Sequence, residues 1–311
     1  MLLARRGLGR VAAGAAAAAL IAATPSARAA DAITVGSKID TEGALLGNMI
    51  VLLLQSHGMD VVSKVGLGTT KIVRTALLTG QIDIYPEYTG NGAFFFNMEN
   101  DPAWKNGNAG YELVKKLDLQ KNHLVWLTPA PANNTWDIGA RKDVAEKNHL
   151  ATMDDFARYV NNGGQVKLAA SAEFVESPAA LPSFEKVYGF KLKQDQLLTL
   201  SGGDTAATIR AAAEGTSGVN FGMCYGTDGA LAALGLVVMT DDKGAQIVYE
   251  PTPVVREAVL QAHPAIKTVL DPVFASLSLQ TLQGLNARIA VDGVDAKTVA
   301  KDYLTKKGFL K

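Results

Sequence analysis

The sequence predicts an α/β protein of two lobes, each a mostly parallel sheet flanked by helices, joined by two crossover linkers. Three observations carry this reading. Strand-like and helix-like patterns alternate from Ala32 to Tyr88. The alternation breaks at a passage holding Pro129, Pro131, Asn133 and Asn134, and restarts after Arg141. A second extended passage, with Pro251 and Pro253, then precedes a helical C-terminal part. The first lobe is expected over residues 30–133 and 250–311, with residues 134–249 inserted as the second. Ligands of such proteins sit in the cleft between hinged lobes.

Residues 1–29 read as a signal peptide rather than as part of the fold. Arg5, Arg6 and Arg10 precede an apolar run over residues 11–23, and Ala27-Arg28-Ala29 supplies a small-residue cleavage site. The run falls short of the ~20 residues that cross a bilayer. No cysteine stands at the cleavage site to take a lipid, and a general secretory route fits better than the twin-arginine route at which Arg5-Arg6 hints. A soluble protein released into a periplasm is the expectation.

Residues 32–37 form the first predicted strand. A helix follows over 42–56, capped by Asp40 or Thr41, with Leu45, Met49, Leu52 and Leu53 at helical spacing. Residues 60–65 make a strand and 71–78 a helix closed by Gly80. A third strand through Ile82 and Ile84 runs into Tyr85-Pro86-Glu87-Tyr88-Thr89-Gly90-Asn91-Gly92. There Pro86 removes a backbone donor and the glycines permit a turn. A strand opening into a turn rich in aromatic and hydrogen-bonding groups is a common place for a ligand. Further on, the spacing predicts helices over 101–118, 153–160, 181–188 and 205–214, and strands over 124–128, 137–140, 166–170, 197–200 and 219–225. Residues 236–240 and 245–255 read as an extended return crossing, and 263–279 and 296–307 as helices.

Most catalytic chemistry is excluded. Cys224 is the lone cysteine, and no two of His57, His123, His149 and His263 have metal-ligand spacing. Gly66-Leu67-Gly68-Thr69-Thr70-Lys71 lacks the spacing of a phosphate loop, and no serine sits in a G-x-S-x-G turn. Asp154-Asp155 and Asp241-Asp242 read as solvated turns. No enzyme, metal or cofactor is expected. Removing Arg5, Arg6, Arg10 and Arg28 with the signal takes the 30 basic residues to 26 against 30 acidic ones, a net charge of −4. That balance argues against nucleic acid or an anionic membrane as partner.

Aromatic residues make up only 7% of the chain, so their placement carries weight. Tyr88 lies in the turn after the third strand, Trp136 at the first crossing, Tyr225 after a strand of the second lobe and Tyr249 in the return crossing. Several aromatic faces around one cleft attract a cation that cannot donate hydrogen bonds, and quaternary ammonium is the usual occupant. Lys38, after the first strand, can pair a carboxylate at the ligand's other end.

Several of these segments together resemble one family. They are Val35-Gly36-Ser37-Lys38, Leu67-Gly68-Thr69-Thr70, Asp83 to Gly90, Pro131 to Trp136, Leu181-Pro182 with Tyr188-Gly189-Phe190, Tyr225-Gly226-Thr227-Asp228 and Tyr249 to Arg256. The family is that of the glycine betaine/carnitine/choline substrate-binding proteins of ABC importers. The resemblance implies the two-lobed periplasmic binding fold and a quaternary-ammonium solute in a box of Tyr88, Trp136, Tyr225 and Tyr249, with Lys38 on the solute's carboxylate. It also implies an ABC permease with its ATPase as partner, and a monomer. Two positions depart. Asn91 replaces a threonine, although its amide can still donate. Ser177 stands where the family's Glu-Phe-x-x-Arg segment has its carboxylate-clamping arginine. Choline, proline betaine, another cation or an amino-acid-like solute therefore stays open as the ligand, as does a role as sensing partner of a membrane receptor.

Overall fold

In the computed structural model, which describes residues 32–200 and 205–310, the strands form two five-stranded sheets. The expected signal peptide lies outside the described residues. The first sheet takes β1 (Ile33–Lys38), β2 (Val61–Gly68), β3 (Ile84–Tyr88) and β4 (Leu124–Trp126). The chain then builds the second sheet from β5 (Trp136–Arg141), β6 (Leu168–Ser171), β7 (Leu197–Leu200), β8 (Phe221–Tyr225) and β9 (Leu236–Val238), and returns to the first with β10 (Pro251–Arg256). The orders are β2-β1-β3-β10-β4 and β7-β6-β8-β5-β9. In each sheet one strand runs against its neighbours, β10 in the first and β5 in the second. Each is the strand that enters its sheet directly from a crossing.

Helices fill the connections. In the first half they are α1 (Thr41–Ser56), α2 (Thr70–Leu78), α3 (Gly92–Phe95) and α4 (Gly107–Asn122). The second sheet carries α5 (Lys142–Asn148), α6 (Met153–Asn161), α7 (Ala172–Glu176), α8 (Leu181–Tyr188), α9 (Thr205–Glu214) and α10 (Ala230–Ala233). The C-terminal run is α11 (Glu257–Ala262), α12 (Ala265–Ala275), α13 (Leu279–Ala290) and α14 (Ala296–Lys306). Asp40 caps α1 as expected, its carboxylate accepting from Gly43 N at 2.7 Å. The apolar face of α1 (Leu45, Met49, Leu53) packs with Leu270, Phe274, Leu282 and Leu304 from the C-terminal helices. Phe156, Phe174, Phe184 and Phe221 centre the core on the second sheet. Each sheet thus has its own core. No helix among the described residues is long and apolar enough to cross a membrane.

Four expectations change. Pro86 does not end its strand: it faces Pro253 across the β3–β10 pair, where neither partner needs the other's missing N–H. The return crossing contributes a central strand, because Pro253 and Pro251 use their carbonyls, which accept from Leu127 N at 3.0 Å and Ala130 N at 2.8 Å. The helix expected from residue 101 starts at Gly107, where Asn106 caps it. Helix α13 was not anticipated; Ser278 caps it inside a stretch read as running from one helix to a loop.

The two crossings run side by side. Asn134 N donates to Tyr249 O and Tyr249 N to Asn133 Oδ1, both at 2.8 Å. Thr135 Oγ1 donates to Ile247 O at 2.8 Å. This short pairing is the covalent and hydrogen-bonded bridge between the sheets.

Candidate ligand-binding site

Parallel strands place their C-terminal ends on one edge, so Lys38 at the end of β1 and Tyr88 at the end of β3 become neighbours. Between them lies Glu87, fully buried. Its carboxylate accepts from Lys38 Nζ at 2.6 Å, Tyr85 OH at 2.6 Å, Asn91 Nδ2 at 2.7 Å and Tyr88 N at 2.8 Å. Four donors saturate it, which is what a carboxylate without water requires. The Lys38 ammonium also lies 4.4 Å from the centre of the Tyr88 ring. Lys38 and Asn91, expected at a ligand's carboxylate, are therefore both held by a carboxylate of the protein.

On the other side of Tyr88 stands a second buried acid. Tyr88 OH donates to Glu42 Oε1 at 2.9 Å, and Asn134 Nδ2 reaches the same oxygen at 3.2 Å. Asn286 Nδ2 donates to Glu42 Oε2 at 2.7 Å and to Thr227 O at 2.9 Å. Burial pushes the Tyr88 phenol well above its ordinary pKa, and the Glu42 charge adds to this, so the hydroxyl stays a donor.

The second sheet contributes Trp136 and Tyr225, which face each other across β5 and β8. Their rings are nearly parallel, with centroids 6.4 Å apart and 19° between planes. Phe174 meets Trp136 edge-on at 6.1 Å. Burial pushes the Tyr225 phenol up to about 12. Tyr249 packs on the turn after β3: a Cβ on Gly90 would lie 2.7 Å from Tyr249 Cδ1. Burial raises its phenol too, with the charges of Tyr225, Glu173 and Glu87 adding. Tyr249 thus lies against the turn that also carries Asn91.

Of the seven residues singled out in the sequence, Lys38, Tyr88 and Asn91 meet around Glu87, Trp136 and Tyr225 pair, and Tyr249 packs on the turn after β3. Ser177 makes its hydrogen bonds within its own turn, from its N–H to Glu173 O at 2.8 Å and from Ala179 N to its hydroxyl at 3.4 Å. Glu87, Glu42, Asn134 and Asn286 were missed. Glu87 carries a usable signal, since period-2 alternation puts it on the face of Tyr85. Asn286 carries none, being 244 residues from the acid it touches. Two surface recesses near Gly163, Gly164, Asp195 and Gln196 lie at the opposite edge of the second sheet.

Residues 31–306 match the family described as the substrate binding domain of ABC-type glycine betaine transport systems, OpuAC. The chain belongs to this family. As an OpuAC substrate-binding domain it is a component of an ABC importer, receiving a small solute and working with a permease, and it is not an enzyme. It is 64% identical to the glycine betaine-binding protein YehZ of Escherichia coli over 91% of this chain and 93% of that one. It is 32% identical to a glycine-betaine-binding protein of Pseudomonas aeruginosa, over 90% of this chain and 89% of that one. The apo structure of Escherichia coli YehZ superposes with a TM-score of 0.79, covering 90% of this chain and 99% of that one. Two mixed sheets flanked by helices match the architecture of that structure.

Proposed function

We propose that this OpuAC protein binds a quaternary-ammonium osmoprotectant such as glycine betaine between its two sheets. It acts in the periplasm as a monomer after loss of residues 1–29, and presents the loaded form to a membrane permease driven by an ATPase. The lobes are residues 30–133 with 250–311, and residues 134–249. The observation that carries the reading is the Trp136–Tyr225 pair at the end of the second sheet, together with Tyr249 packed on the turn that follows Tyr88 at the end of the first. A ligand touching both halves stabilises the closed form by the difference in contact between the two states. The names of the 64% and 32% identical relatives agree with it.

The carboxylate end is less well provided. Lys38 and Asn91 are engaged by Glu87, and Ser177 stands in place of a cationic fork. Loss of such a fork, worth ~1.5–3 kcal/mol, weakens glycine betaine by roughly 10- to 150-fold. This favours, as a second reading, the same receptor for a cation without a carboxylate. Calorimetry with glycine betaine, choline, proline betaine and a neutral amino acid decides: the reading expects heat from at least one quaternary amine, and heat from none of them sinks it.

A further inference from the structure

We propose that Glu42 is the positioning residue of the cage, holding the hydroxyl of Tyr88 on the first sheet and, through Asn286, the loop that follows Tyr225 on the second. The inference rests on the quaternary-ammonium reading above and adds to it a residue that does not touch the ligand.

The geometry converges from four parts of the chain. Glu42 is in the first turn of α1, Tyr88 ends β3, Asn134 lies two residues before Trp136, and Asn286 is on α13. One amide nitrogen of Asn286 serves both Glu42 Oε2 and Thr227 O, so a single amide links the carboxylate to the loop after β8. The same helix grips that loop again where Gln283 Nε2 donates to Gly226 O at 2.8 Å. Gly229 sits so close that a Cβ there would lie 2.0 Å from Ala287 N. The aromatic halves of the site are therefore joined through α13 as well as through the crossings.

A second observation makes the node responsive. The amide oxygens of Asn134 and Asn286 are buried without a hydrogen-bond partner. Such atoms are costly, and both belong to the amides that contact Glu42. If Glu42 takes a proton, one of its oxygens becomes a donor. Rotation of the Asn134 amide then supplies an acceptor at the expense of the bond it now makes to Glu42, whereas rotation of Asn286 also gives up its bond to Thr227 O and so loosens the loop after β8. Glu42 is placed to take that proton near neutrality, since burial chiefly, with the Asp40 charge, pushes it up to about 7 against the hydrogen bonds from Thr227, Asn286 and Tyr88. The titratable groups facing it are Asp40 at the cap of its own helix and Tyr88 from β3. Helix α13 presents Asn286 and the loop after β8 presents Thr227, with Asp228 next in that loop, bonded to Tyr225 N, and Arg288 further along α13, paired with Asp302. Lys38, over the Tyr88 ring, is matched by Glu87.

A ligand cation favours the ionised form of Glu42, so affinity rises as pH climbs through the range around 7. Calorimetry with choline and with glycine betaine is expected to show binding roughly three- to tenfold tighter at about pH 8.5 than at about pH 6. Glu42→Gln removes this slope and binds at the weaker, low-pH level throughout, whereas Asp137→Asn keeps it. A Glu42→Gln protein with the wild-type slope, or an Asp137→Asn protein without one, overturns the proposal. A ligand-free measurement decides independently. The Tyr88 ring and Thr227 amide resonances of the wild type should titrate with one midpoint near 7, and different midpoints or no titration also overturn it. Absence of heat from every quaternary amine, with that shared midpoint present, sinks the ligand assignment and leaves the positioning role standing.

Discussion

Lys38 and Glu87 form a buried ion pair at 2.6 Å, with the lysine's ammonium also over the ring of Tyr88. The protein thus keeps its own cation and its own carboxylate next to the aromatic residues of the candidate site. Removing one partner of such a pair strands the other in a place without water, and it is this stranding, more than the lost attraction, that costs stability.

Lys38→Met is therefore expected to lower unfolding stability by about 3–5 kcal/mol, because Glu87 loses its counter-ion in a place without water. The double variant Lys38→Met/Glu87→Gln should recover most of that loss. Urea unfolding of the two single variants and the double one gives the coupling, and additive losses would show that the pair is not a unit.

A further buried acid, within electrostatic reach of Tyr85, makes the same point. Asp118 accepts from Arg74 Nη1 at 2.8 Å, Trp126 Nε1 at 2.7 Å and Asn122 Nδ2 at 2.7 Å. Asp118→Ala leaves the Arg74 guanidinium and the indole N–H without an acceptor, and a loss of about 3–5 kcal/mol is expected in chemical denaturation.

The aromatic box is tested at its second-sheet half. Trp136→Ala and Tyr225→Ala should each weaken quaternary-ammonium binding about tenfold or more, since a desolvated cation–π contact contributes up to ~2 kcal/mol. Unchanged affinity in both variants refutes the box.

Stability should fall as pH rises from acid to weakly basic values. Burial chiefly, with Asp241 and Asp228 adding, pushes Asp137 up to about 8, and Glu42 is pushed up to about 7. Both carboxyls hold a proton in the folded state at pH values where the unfolded chain has lost it. Their contribution is complete below the unfolded-state values of 3.8 and 4.5 and is lost as pH climbs through the folded ones. Asp137→Asn should raise stability at about pH 8.5 relative to wild type, by an amount on the order of a few kcal/mol. Denaturation midpoints across pH check this, and a wild-type profile rising through that window contradicts it.

Gly229→Ala tests the contact between α13 and the loop after β8. The new methyl would meet the backbone of Ala287, which cannot swing aside as a side chain can. A loss of about 1–3 kcal/mol is expected from overpacking, together with weaker ligand binding as the loop is displaced. An unshifted melting temperature would mean that the loop moves freely off the helix.

Much of the fold was legible because its signals are local. The spacing of Leu45, Met49 and Leu53, the cap at Asp40 and the glycines after α1 and α2 act within a few residues, so the starting βαβαβ unit could be read directly. The aromatic residues were found for a related reason: strand ends and crossings are visible as pattern breaks, and Trp136, Tyr225 and Tyr249 sit at them. What failed was non-local. Pro251 and Pro253 discourage a central strand by propensity, and only the neighbours β3 and β4 determine that their missing N–H groups are not needed. The sequence by itself determined two α/β sheets and the crossings, and pointed to the aromatic residues of the candidate site. The tertiary structure alone decided that Lys38 and Asn91 face Glu87 rather than open space, and that Asn286 closes on Glu42 across 244 residues. Buried polar groups take whichever partners the packed chain brings within about 3 Å, and no period or spacing encodes that choice.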